Sequence, residues 1–88
     1  MENLDELRKS IDEIDNEIIK LLANRFEKVK LVWKFKKENS IKLLQQNRWQ
    51  SVLESKIKLA KEKWIDTEFT KNIWNNIHEY ALLLEKKV

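Results

Sequence analysis

Residues 4 to 38 read LDELRKSIDEIDNEIIKLLANRFEKVKLVWKFKKE, and this stretch decides the fold. Leu4, Leu7, Ile11, Ile14, Ile18 and Leu21 follow one another at alternating three- and four-residue steps, the spacing that gathers side chains on one face of an α-helix. Val29, Val32 and Phe35 carry the stripe onward, and no breaker interrupts it before Asn39-Ser40. Roughly 36 residues rising about 1.5 Å each predict a helix on the order of 50 Å long. A compact globule of this chain length is only about 25–30 Å across, so the helix must overshoot it.

The rest of the chain is read against that helix. Asn39 to Gln46 form a polar connection with an apolar hook, Ile41-Lys42-Leu43-Leu44. A second helix is predicted with Trp49, Val52, Leu53, Ile57, Ala60 and Trp64 on one side. Asp66 is a candidate N-cap for a third helix, whose buried face is Phe69, Ile73, Ile77, Tyr80 and Leu84. The fold class is all-α: one long and two shorter helices in a single domain spanning residues 1–88. Two helices of about 18 and 20 residues cannot cover the long stripe, and small domains already bury little surface. An intertwined homodimer, with first helices packed together, is the economical solution. The alternative is a monomer whose first helix folds back near Arg25, where nothing breaks a helix.

Composition narrows the chemistry. The 88 residues include no Gly, Pro or Cys and one His, His78. Disulfides, thiolate metal sites and cysteine nucleophiles are therefore excluded, as are phosphate-cradling glycine loops and nucleophile elbows. One histidine builds no His-based metal centre. Net charge is +3, from 18 basic and 15 acidic residues mixed along the chain. A nucleic-acid binder shows a one-sided basic stripe instead, whereas a mild positive balance suits a small anionic substrate. The acidic start, Met1 to Glu6, has no signal-peptide core, and no apolar run approaches the ~20 residues that span a bilayer. A cytoplasmic location with no membrane, metal or nucleic-acid partner is expected.

Two cations interrupt the apolar stripe. Arg25 lies four residues after Leu21, and Lys36 four after Val32. They are 11 positions apart, three turns, so both project from one face about 16 Å from each other. A buried cation costs several kcal/mol unless paired, so the two either want anions, snorkel to solvent or pair with an internal Glu. Arg48, beside Trp49, is by itself an ordinary surface residue. Arg8 is rotated about 100° from Arg25 around the helix; the two do not serve one pocket within a chain, but across a two-fold axis they can. On the third helix Glu85 continues the line Trp74, Ile77, Ala81, either a carboxyl on an apolar face or a solvated residue of a fraying turn. His78 falls between stripes and reads as a surface or boundary residue. The Trp residues and Tyr80 read as core.

The order Leu7-Arg8-Lys9, Ile11-Asp12, Ile14-Asp15, Glu17-Ile18-Ile19, Leu21-Leu22 and Arg25 resembles the signature of the all-helical chorismate mutases. Val29 through Lys37 continue the resemblance, and Arg48 stands where that family begins its second helix with an active-site arginine. The resemblance covers nearly the whole chain, specifically over the first 36 residues and loosely in the third helix. It implies an intertwined homodimer with two equal sites, each receiving an arginine, here Arg8, from the partner. It implies a cofactor-free [3,3] rearrangement of chorismate to prephenate in aromatic amino-acid biosynthesis. Arg8 and Arg25 would bind the two substrate carboxylates, with Arg48 and Ala81 completing the substrate-binding set. Lys36 would stabilise charge growing on the ether oxygen.

Three positions depart from the family's commonest pattern. Gln45 and Trp49 stand where Asp and Glu often hold the ring hydroxyl; Gln45 can still accept a hydrogen bond, and Trp49 cannot. Glu85 stands where a Gln commonly donates to the ether oxygen. A neutral carboxyl in an apolar surround could donate instead, and activity is then expected to fall as pH rises through its titration. These departures leave room for relatives on the same fold, an isochorismate-pyruvate lyase or a 4-amino-4-deoxychorismate mutase. A non-enzymatic helical interaction module explains the stripe but not its cations.

Overall fold

The structure is a computed structural model, and it describes residues 3–42 and 46–88. Three helices follow one another: α1 (Leu4–Glu38), α2 (Gln46–Glu62) and α3 (Thr67–Leu84), the last continued by a short 3-10 turn, Glu85–Lys87. The expected all-α architecture of one long and two shorter helices is what the chain adopts. α1 runs unbroken for 35 residues and stretches the molecule to 57 Å, against 24 and 15 Å in the other directions. The fold-back near Arg25 does not occur.

Local chemistry sets the helix ends. The Asn3 side chain accepts from the Glu6 N–H at 2.9 Å, and the Glu6 carboxylate accepts in return from the Asn3 N–H, a capping box. Asp66 accepts from the Phe69 N–H at 2.9 Å and caps α3 as its sequence position predicts. The C-termini of α1 and α2 close in the same way. Ile41 N–H reaches the Lys36 carbonyl at 2.8 Å and Ile65 N–H the Ala60 carbonyl at 2.9 Å, each a Schellman closure. That motif needs a left-handed residue, normally glycine; this chain has none, and Ser40 (φ 54°) and Trp64 (φ 63°) take the position.

The second closure corrects one expectation. Trp64 does not lie on the apolar face of α2; the helix stops at Glu62, and the indole is 96% exposed in the turn. On α3, Leu84 is fully buried, but Phe69 and Tyr80 of the predicted buried face are exposed in the protomer. Thr70 is buried instead, its hydroxyl donating to the Asp66 carbonyl at 2.8 Å.

Among the described residues, it is the second half of α1 that meets the rest of the chain. Phe26 and Tyr80 meet edge to face, 4.7 Å between ring centroids. The indole N–H of Trp33, a residue outside the predicted stripe, donates to the Ala81 carbonyl at 2.8 Å. Lys37 Nζ donates to the Glu85 and Val88 carbonyls at 2.7 and 2.9 Å, a cation set on the C-terminal end of α3, where helix carbonyls run out of partners. α2 packs on α3, while α1 and α2 make no close backbone approach among the described residues. Both lean on α3, and the space between them is open.

Candidate active site

That space is a cavity of about 280 Å³. α1 contributes Arg25, Lys28, Val29, Val32, Trp33 and Lys36; α2 contributes Arg48, Trp49 and Val52; α3 contributes His78, Ala81 and Leu82. Helical geometry explains the α1 set. Lys28, Val29, Val32 and Lys36 lie 3, 4, 7 and 11 positions after Arg25, so they fall on nearly one line along the helix.

Four cations therefore meet on a largely apolar surface. Arg25 is half-buried, its Nη1 is buried, and no protein group hydrogen-bonds that atom among the described residues. Burial, and then the charge of Arg48, push its proton affinity below the ordinary arginine value; it remains a cation in surroundings that call for an anion. Its guanidinium lies 5.9 Å from the Phe26 ring centroid, and Lys36 Nζ lies 5.1 Å from the Trp33 ring centroid, contacts that fix both heads near the cavity wall.

Of the residues predicted from sequence, Arg25, Lys36, Arg48, Trp49 and Ala81 line this one cavity. Arg8 does not: it is exposed on the first half of α1, 17 positions before Arg25, or about 25 Å along the axis. Gln45 lies outside the described residues. Glu85 is absent from the described lining, and the apolar surround expected for it is corrected. Its carboxylate sits 3.3 Å from Lys37 Nζ, because the last turn of α1 delivers that ammonium to the end of α3.

Two ionisable residues of the lining, Lys28 and His78, are not among those predicted from sequence. Lys28 carried a readable signal, since it sits three positions after Arg25 on the same face. His78 did not: its spacing makes it a surface or boundary residue, and it is part-buried, but nothing in the spacing shows that its imidazole stacks on Trp49 with centroids 3.9 Å apart and planes 8° from parallel. Helical periodicity places it between stripes, and only the packing of α2 on α3 turns it toward the cavity.

Four cations on a largely apolar lining suit a small anionic molecule. Residues 7–86 match the family chorismate mutase type II. The chain is 34% identical over 87 residues to a chorismate mutase of Methanocaldococcus jannaschii, covering 99% of this chain and 88% of that protein. It is also 34% identical over 91 residues to a bifunctional chorismate mutase/prephenate dehydratase of Aquifex aeolicus, of which it spans only a quarter. Among the described residues, no helix is long and apolar enough to cross a membrane. With nearly its whole length matched and a cationic cavity between its helices, the chain belongs to the chorismate mutase type II family, which supports an isomerase function as a chorismate mutase.

Proposed function

We propose that the cavity binds chorismate and converts it to prephenate by a cofactor-free [3,3] rearrangement, a cytoplasmic step of aromatic amino-acid biosynthesis. The observation that carries this reading is the buried, unpartnered Nη1 of Arg25 in a cavity shared with Lys28, Lys36 and Arg48. Chorismate brings two carboxylates, and guanidinium groups bind carboxylates in paired, charge-assisted hydrogen bonds. Arg25 and Arg48 hold the substrate from two helices. Such clamping selects the compact conformer in which the two reacting carbons touch. As the C–O bond breaks, negative charge grows on the ether oxygen, and the ammonium of Lys36 opposes it from a fixed position. Ala81 and Trp49 form the apolar wall against the ring.

The working unit in this proposal is a homodimer. Its support is the uncovered first half of α1, where Ile11 and Ile14 are 55% and 58% exposed within the protomer. A second apolar cleft of about 250 Å³ between α2 and α3, lined by Leu59, Ile65, Phe69, Ile73 and Trp74 among others, offers a surface of matching character. Pairing two chains covers both and carries Arg8 of one protomer toward the cavity of the other, where it joins Arg25 on the carboxylates. Glu85 enters through its pair with Lys37. A direct role on the ether oxygen requires it to exchange that ammonium for substrate, and coincident pH–rate profiles for wild type and Glu85→Gln would exclude this role.

The test is incubation with chorismate and detection of prephenate, with isochorismate and salicylate as the parallel arm. Prephenate is expected from the wild type. Arg25→Ala is expected to lower kcat/KM by ~100-fold or more, the scale of losing one partner of a buried charge pair. Salicylate from isochorismate, without prephenate from chorismate, would reassign the site to lyase chemistry.

A further inference from the structure

The cavity's cations all do one kind of work. Arg25, Lys28, Lys36 and Arg48 only donate hydrogen bonds, and so does the indole N–H of Trp49. Donors serve carboxylates and an ether oxygen. A ring hydroxyl also has a proton to give, and that proton needs an acceptor. Among the described lining side chains, His78 alone can accept one, through the bare nitrogen of a neutral imidazole.

The imidazole is held for this purpose on both counts, orientation and charge. The parallel stack on Trp49, 3.9 Å between centroids, joins the α2 and α3 walls and fixes the ring plane. Burial, and then the charge of Arg25, lower the proton affinity of His78, with Glu79 pulling the other way. The charged groups around it are Arg25, Lys28 and Lys36 from α1, Arg48 from α2 and Glu79 on its own helix. Burial and the Arg25 charge together outweigh Glu79, so the neutral form persists to lower pH than for an ordinary histidine.

We infer that His78 is a specificity-determining substrate contact, accepting the ring hydroxyl of chorismate while Trp49 fixes its plane. This rests on the chorismate reading of the cavity and deepens it. The arrangement also disfavours a substrate carrying an ammonium in place of that hydroxyl, because such a group would add a fifth positive charge to the cavity.

Steady-state kinetics between about pH 5 and 8 test this, with chorismate and its analogue lacking the ring hydroxyl, on wild type, His78→Leu and His78→Gln. Wild type is expected to prefer chorismate by ~10-fold in kcat/KM, the scale of one hydrogen bond. His78→Leu should lose that preference, and His78→Gln, whose amide oxygen accepts, should keep most of it. With chorismate, wild-type kcat/KM should fall as pH drops below the ordinary histidine range, because the imidazolium no longer accepts; this acid limb should vanish in His78→Gln and with the analogue. Equal discrimination by wild type and His78→Leu, or the same acid limb in wild type and His78→Gln, overturns the inference. If His78→Leu fails to fold, the acid limb of His78→Gln decides. A wild type that makes no prephenate overturns the mutase reading and this inference with it, whereas prephenate formation with unchanged discrimination overturns this inference alone.

Discussion

The two halves of α1 share one apolar spacing and meet different surroundings. From Leu4 to Leu21 the stripe is exposed in the protomer, and among the described residues the ion pair within that half is the surface pair Glu17–Lys20, of a kind worth little to stability. From Phe26 to Lys37 the same helix touches α3 through an aromatic pair, a buried indole hydrogen bond and a lysine cap, and it walls the cavity. Periodicity says which face is apolar. It does not say which face the chain covers: in the second half the contacts to α3 come from Phe26, Trp33 and Lys37, beside the stripe, while Val32 and Phe35 on it stay exposed.

The largest expected effect breaks the first half. Burying one isoleucine side chain contributes roughly 1.5–3 kcal/mol, and a substitution counts twice across a two-fold axis. Ile14→Asp should therefore raise the dissociation constant of the proposed homodimer by ~1000-fold or more, read by analytical ultracentrifugation, and remove activity with it. Unchanged mass and activity would show that the stripe is not an interface. Next comes Arg25→Ala in the second half. Alongside the activity loss stated above, its urea midpoint should hold or rise, because a half-buried cation with an unpartnered nitrogen leaves the fold. A fall in stability comparable to the loss of activity would make Arg25 a structural residue.

Trp33→Phe sharpens the comparison at the seam between α1 and α3. It strips the Ala81 carbonyl of its indole donor, and an orphaned buried acceptor costs about 1–3 kcal/mol, measurable by urea unfolding. A change within error would mean that water replaces the indole there. The smallest effect belongs to the end of α1. Ser40 holds φ 54°, a region that costs residues other than glycine roughly 1–2 kcal/mol. Since glycine gives back part of this as chain entropy, Ser40→Gly should stabilise by about 0.5–1 kcal/mol.

Much of the cavity lining proposed as the site was legible in the sequence. Arg25 and Lys36 stood out because a cation on an apolar stripe has to be explained, and both line the cavity. Lys28 shares their face and could have been found by the same count. His78 and Trp64 were not legible. One belongs to the cavity only because α2 settles on α3; the other left its predicted face because a chain without glycine must still close its helices, and the closure fell on a tryptophan. Glu85 looked apolar-bound along its own helix, but its partner Lys37 arrives from α1, 48 positions away in the chain.

The sequence by itself determined three helices, the overlong first one, the cap of the third at Asp66 and the two cations on the α1 stripe, because these follow from rules that act within a few residues. Tertiary structure alone decided that α1 and α2 stand apart on α3, leaving a cavity with room between them. It also decided that a histidine between stripes becomes a wall of that room, since both depend on how helix surfaces meet rather than on how any one of them repeats.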